Sequence, residues 1–125
     1  MTNNYLITVI LPTYNAGTRG GGIYLREAIE SVLKQTYEKF ELIIVNDGST
    51  DNTENIVSNY SDHRIKYIYQ RNAGQAEARN TGLKHAKGNY ICFLDDDDYY
   101  ESKLEKQLYY LIENNHDVVY KLILD

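Results

Sequence analysis

Strand-like apolar runs alternate with stretches of helical periodicity along the chain, and this alternation dictates a parallel sheet whose strands are joined by helices. Residues 5–11 (YLITVIL) predict a first strand, stopped by Pro12, which has no N–H to give to a ladder. Leu25, Ala28, Ile29, Val32 and Leu33 share one face of a first helix, with Arg26, Glu27, Glu30 and Lys34 on the other. Residues 40–45 (FELIIV) form a second strand, closed by Asn46-Asp47-Gly48-Ser49. Asp51 to Glu54 then offer side-chain oxygens to the free amides of a short second helix that ends near Tyr60. Residues 64–69 (RIKYIY) alternate polar and apolar, as suits a strand near a sheet edge. A third helix covers 75–87 and is stopped by Gly88, a residue that tolerates the left-handed conformation. A fourth strand follows at 90–94. Leu104, Leu108, Leu111 and Ile112 mark a further helix, and residues 117–124 start another strand.

With 125 residues, 42% of them hydrophobic, the chain is long enough for one domain with a real core and too short for two ordinary ones. A formal charge of −5 and a pI near 5.1 argue against a nucleic-acid binder, which needs a basic face. Any phosphate held here is expected to arrive with a metal. Cys92 is the single cysteine and sits in an apolar run, which excludes a disulfide framework and a cysteine-based zinc site and leans towards a reducing compartment. No apolar run approaches the ~20 residues of a membrane span, and the N-terminus lacks a basic segment followed by a long apolar one. The expectation is a soluble, cytoplasmic chain, at most peripheral to a membrane.

In an open parallel sheet, ligands bind at the carboxyl ends of the strands, and the unusual residues of this chain lie there. The run Tyr90-Ile91-Cys92-Phe93-Leu94 delivers Asp95, Asp96, Asp97 and Asp98 together at a strand end. Such charges repel one another, and Mg²⁺ or Mn²⁺, with oxygen ligands at roughly 2.0–2.2 Å and remaining ligands from substrate phosphates, relieves the repulsion. An acidic turn capping the next helix is the plainer alternative. Pro12-Thr13-Tyr14-Asn15 offers an aromatic ring on which a base could stack, although with 13 tyrosines one alone says little. Asp47 beside Gly48 could accept a hydrogen bond from a nucleobase N–H, or belong to an ordinary turn. Small residues from Asn72 to Ala78 open the third helix and leave Arg79 to bond a phosphate or a base carbonyl, or to pair with Glu77 or one of the acids.

Taken in order, Val9-Ile10-Leu11-Pro12-Thr13-Tyr14-Asn15, the helix Ala28 to Thr36, Phe40 to Asp51, Ala78-Arg79-Asn80-Thr81-Gly82 and Phe93 to Asp98 resemble the nucleotide-sugar-binding half of family 2 glycosyltransferases. The resemblance covers nearly the whole chain. It implies an α/β chain, a three-layer α/β/α sandwich with a mostly parallel central sheet, the Rossmann-like half of a GT-A fold. It further implies that residues 1–125 are one donor-binding domain lacking the C-terminal acceptor-binding part, and that a nucleotide-diphosphate sugar, a UDP-sugar by the family's habit, donates its sugar to an acceptor hydroxyl. Whether the acceptor is a glycan, a lipid or a protein is not readable. By the same resemblance Pro12, Thr13 and Tyr14 flank the base, Asp47 bonds it, and Arg79 lies near the nucleotide. Asp95 and Asp97 are the two carboxylates of an Asp-x-Asp signature, the first near the ribose and the second on a Mn²⁺ or Mg²⁺ that bridges the diphosphate. Asp96 fills the variable position with another acid, so the metal-binding carboxylate is ambiguous, and Asp98 is expected to be structural. The general base of inverting members lies downstream of the acidic motif and is expected to be absent from this chain.

One stretch departs from the family pattern. Residues 16–22 (AGTRGGG) lengthen the first loop, which is expected to be flexible, with Arg19 a solvated loop arginine that could reach a diphosphate. Two other functions fit less of the sequence. A non-catalytic nucleotide or nucleotide-sugar binding module needs the same donor site, whereas a receiver-like signalling domain wants acids after the first strand, where this chain has Pro12-Thr13-Tyr14.

Overall fold

β1 spans Ile7–Thr13 and is buried along its whole length, as a central strand covered on both faces must be. The computed structural model describes residues 5–97 and the backbone of 118–119. After β1, two short 3₁₀ turns, Ala16–Thr18 and Gly20–Gly22, lead into α1 (Ile23–Leu33). Then follow β2 (Phe40–Asp47), α2 (Thr53–Ser58), β3 (Ile65–Gln70), α3 (Gln75–His85), β4 (Tyr90–Phe93) and β5 (Val118–Val119). The strands form a five-stranded sheet in the order β3-β2-β1-β4-β5, and every pairing is parallel. The direction of strand addition reverses at β1. The β1/β4 seam is therefore the topological switch point, where the strand ends diverge and leave a crevice.

Alternation along the strands assigns the layers. Ile7, Val9 and Leu11 of β1 and Phe40, Leu42 and Ile44 of β2 pack with Leu25, Ala28, Ile29 and Val32 of α1 and Ile56 and Val57 of α2. Ile43 and Val45 of β2 face the other way, onto Ala78 of α3. The result is the expected α/β/α sandwich, with α1 and α2 on one face and α3 on the opposite one. Cys92 lies in the larger cluster, 1% exposed, and burial pushes its thiol pKa well up. β3 is the edge strand, and its partly exposed pattern matches the alternation in its sequence.

Two boundaries differ from the sequence reading for physical reasons. Pro12 lies inside β1, paired with Val45, rather than ending the strand. Ile7 N–H donates to Lys39 O and Ile10 O accepts from Leu94 N–H, so odd residues of β1 bond towards β2 and even ones towards β4. Pro12 is even, and the β1–β4 ladder ends at Ile10↔Phe93. Its missing N–H thus faces the crevice, where no ladder bond is lost. The second difference is at α3, which ends at His85 with Ala86 extended, while Gly88 is not among the positive-φ glycines. Gly88 is needed instead because a Cβ there would lie 2.5 Å from Thr8 Oγ1 and 2.7 Å from Thr8 N.

Among the described residues no helix is long and apolar enough to cross a membrane. Asp98, the expected helix through Leu104 and Ile112, and all of the 117–124 strand except 118–119 lie outside the described residues.

Candidate functional site

The carboxyl ends of β1, β2 and β4 and the start of α3 converge on one cavity of about 340 Å³, lined by Pro12, Thr13, Tyr14, Arg19, Asp47, Asn72, Gly74, Gln75, Ala78 and Asp96. Most of the residues singled out in the sequence therefore share one site. Pro12 is buried in the strand, and Tyr14, just past it, is 46% exposed. Thr13 is buried, and its hydroxyl donates to Asp96 Oδ2 at 2.8 Å. That bond ties the end of β1 to the acidic motif across the switch point.

Asp47 is 4% exposed, and both of its carboxylate oxygens are engaged. Oδ1 accepts from Gln70 Nε2 at 2.8 Å and from the Ala73 N–H at 2.8 Å; Oδ2 accepts from Asn72 Nδ2 at 3.1 Å and from the Gly74 N–H at 3.0 Å. A carboxylate offers about four lone-pair sites, and these donors occupy them. In this arrangement Asp47 holds the 72–74 loop against the end of β2, and a base N–H reaches it only by displacing a side-chain donor. Gly48 makes the packing possible: its φ is +76°, and a Cβ there would come within 2.5 Å of Asn72 N.

The acids after β4 are neutralised unequally. Asp95 Oδ1 accepts from Gln75 Nε2 at 3.0 Å and from Arg79 Nη2 at 3.2 Å. Arg79 thus takes the ion pair that the sequence left open between Glu77 and the acids, and its guanidinium lies 5.7 Å from the centre of the Phe93 ring. Its Nε is buried without a hydrogen-bond partner. Asp96 is gripped by Arg19, whose Nη1 donates to Oδ1 at 3.1 Å and whose Nη2 donates to Oδ2 and, at 3.2 Å, to Tyr14 O. The hydrogen bond to Asp96 holds the Arg19 pKa above its ordinary value, against burial. Asp97 is exposed, and no described residue bonds its carboxylate.

Arg19 is therefore not the solvated loop arginine expected from the sequence. The segment that carries it is pinned rather than loose. Asn15 N–H donates to Ser49 Oγ at 2.8 Å, Thr50 N–H to Asn15 Oδ1 at 2.8 Å, and Thr18 N–H to Asp51 Oδ2 at 2.9 Å. On the far side Arg26 Nη1 donates to Gly21 O at 3.0 Å. The three glycines supply the positive φ values, +60°, +65° and +89°, that fold the chain into a tight turn before α1.

The donor set bears on a metal as follows. No group of three or more His, Cys, Asp or Glu side chains among the described residues is arranged to hold an ion. Mg²⁺ and Mn²⁺ bound with a phosphate substrate need only one or two carboxylates, the rest of the shell being water and phosphate oxygen. Asp97, exposed and bonded by no described residue, with Asp95 two positions before it, fits that requirement; Asp96, held by Arg19 and Thr13, fits it less well. Sequence reasoning passed over Gln70 and the Asn72 side chain, which bond Asp47, because ordinary amides carry no signal of their own.

Comparison with known proteins agrees with this fold. Residues 8–123 match the model of the family described as glycosyl transferase family 2. The chain is 48% identical over 105 residues to the glycosyltransferase GlyA of Streptococcus pneumoniae, covering 82% of this chain and 14% of that protein. Among solved structures, Staphylococcus aureus TarS 1-349 in complex with UDP-GlcNAc superposes with a TM-score of 0.76 at 34% identity, over 88% of this chain and 32% of that one. The mannosyltransferase PcManGT of Pyrobaculum calidifontis, in complex with GDP-Man and Mn²⁺, gives 0.77 at 28% identity over 88% and 33%. The chain spans less than half the length of curated relatives such as GlyA.

Proposed function

The chain belongs to glycosyl transferase family 2, and from that membership we propose that it is the donor-binding unit of a metal-dependent glycosyltransferase, taking a nucleoside-diphosphate sugar for transfer to an acceptor hydroxyl. One observation carries the proposal: the loops after β1, β2 and β4 meet at a single cavity on the switch point, with Asp96 in its lining and the exposed Asp97 next to it in sequence. The bound ligands named for TarS and PcManGT, UDP-GlcNAc in one and GDP-Man with Mn²⁺ in the other, support the choice of ligand class. UDP is the favoured nucleoside diphosphate.

Each residue takes a defined part. Tyr14 offers a face for the base, with Pro12 and Thr13 fixing where its backbone leaves β1. Asp47 meets the base edge through exchange of the Asn72 amide, or positions the 72–74 loop that does. Asp95, oriented by Arg79 and Gln75, is placed for the ribose. Asp97, with Asp95 beside it, is the pair to hold Mn²⁺ or Mg²⁺, whose chemistry there is Lewis-acid neutralisation of the charge that develops on the departing diphosphate. The lining carboxylates Asp47 and Asp96 are both already hydrogen-bonded, so the base that deprotonates the acceptor is assigned to residues other than these.

Calorimetric titration with UDP and GDP, with and without Mn²⁺, tests the proposal. Binding is expected to require Mn²⁺ and to weaken by about tenfold or more in Asp97→Ala, the size of one lost charge-assisted contact. Metal-independent binding that survives Asp97→Ala would overturn the metal assignment. Release of free sugar or transfer to an acceptor, followed with a UDP-sugar panel, separates the enzyme from the binding module.

A further inference from the structure

We propose that Arg19 is a resident cation of the acidic motif, held on Asp96 and transferred to the diphosphate oxygens of the donor when it enters. The inference rests on the donor-site reading and adds a residue that the family pattern does not supply, since Arg19 belongs to the lengthened first loop.

Three features of the molecule lead to it. Arg19 lines the same cavity as Tyr14, Asp47 and Gln75, so its guanidinium already stands where a nucleotide would lie. Its fork is spent on a carboxylate in a two-oxygen grip, the geometry that a phosphate group reproduces with more charge. Finally, its backbone is anchored through Thr18 to Asp51 and through Gly21 to Arg26. The loop therefore delivers the arginine to a fixed place, and only the side chain, 40% exposed, has to swing.

Electrostatics sets the direction of the exchange. Arg19 and Arg79 offset two of the three described carboxylates of the motif. A divalent cation arriving alone meets a like charge in Arg19 and finds Asp96 occupied. Arrival together with a diphosphate reverses this, because the phosphate oxygens attract both cations and give the guanidinium a better partner than Asp96. Metal and nucleotide binding are thereby coupled through one side chain.

Arg19→Gln and Arg19→Lys, made in the full chain, test the exchange with three probes: Mn²⁺ alone by electron paramagnetic resonance, UDP with Mn²⁺ by calorimetry, and uridine by calorimetry. Arg19→Gln is expected to bind Mn²⁺ alone more tightly than wild type and UDP about tenfold more weakly, the loss of one charge-assisted pair of bonds, with uridine unchanged. Arg19→Lys, which keeps the charge and loses the fork, should fall between and carries the test if the glutamine variant misfolds. Undiminished UDP affinity in Arg19→Gln overturns the proposal, as does a parallel loss for uridine, which marks a merely structural loop residue. A wild-type chain that binds neither UDP nor GDP sinks the donor-site reading instead. In that event unchanged Mn²⁺ affinity in Arg19→Gln removes the hold on Asp96 as well.

Discussion

At the scale of single residues, the site is organised by side chains whose partners are distant in sequence. Asp47 receives donors from Gln70, Asn72, Ala73 and Gly74, so it is the peg on which the loop before α3 hangs. Asp47→Asn replaces one acceptor oxygen with an NH₂ that faces other donors. It is expected to destabilise the fold by about 1–3 kcal/mol, the cost of buried donors left unpaired, measurable as a lower urea midpoint at unchanged m-value. The same change should weaken UDP binding, because the 72–74 loop borders the cavity. Gly48 belongs to the same unit, its missing side chain leaving room for Asn72.

At the scale of elements, a carboxylate ties three strands together away from the site. Glu41 of β2, 4% exposed, accepts from Thr8 Oγ1 of β1 at 2.6 Å, from Lys66 Nζ of β3 at 2.8 Å and from the Lys87 N–H after α3 at 2.6 Å. Burial pushes its pKa up, but these partners outweigh burial and leave it below the ordinary value of 4.5. Asp62 is held down to about 2 by Arg64, whose guanidinium also sits 4.1 Å from the centre of the Phe40 ring. A depressed folded pKa means that the unfolded chain takes up the proton first as pH falls. The stabilisation is complete above the ordinary carboxylate value and drains away below it. Acid titration followed by circular dichroism should therefore show stability falling from pH 4.5 towards 2, with a shallower slope in Glu41→Gln. Elements were legible in the sequence because apolar period reports burial locally: α1, β2, β3 and β4 stand within about two residues of where periodicity put them. What was not legible depends on distant chain. The direction of the Pro12 nitrogen matters only once the end of β4 is known, Gly88 answers to Thr8, and Arg19 finds its partner 77 positions away at Asp96. The acidic motif and Tyr14 stand out in the sequence because each follows a strand, and strand ends in a parallel sheet are predictable meeting places, whereas the ring of amides around Asp47 emerges only from the folded loop.

At the scale of the whole molecule, among the described residues α1 and α2 seal one face of the sheet with large aliphatic side chains, while α3 contributes Ala78 and Gly82 as its buried residues to the other. A ligand that bridges α3 to β1 and β4 adds contacts to that thinner described layer. Saturation with UDP and Mn²⁺ at about a hundred times the Kd should add about 2.7 kcal/mol of stability, seen as a rise in melting temperature that Asp97→Ala cuts by about half or more. The strand order has a practical outcome as well. The chain has one cysteine, and Cys92 is enclosed on β4 with β1 on one flank and β5 on the other. Its rate of alkylation is thus a built-in clock for the parting of that seam. Labelling that tracks global unfolding in urea would show that β4 opens only with the rest of the sheet; rapid labelling of the native chain would reveal a hinge at the very seam that holds the ligand crevice.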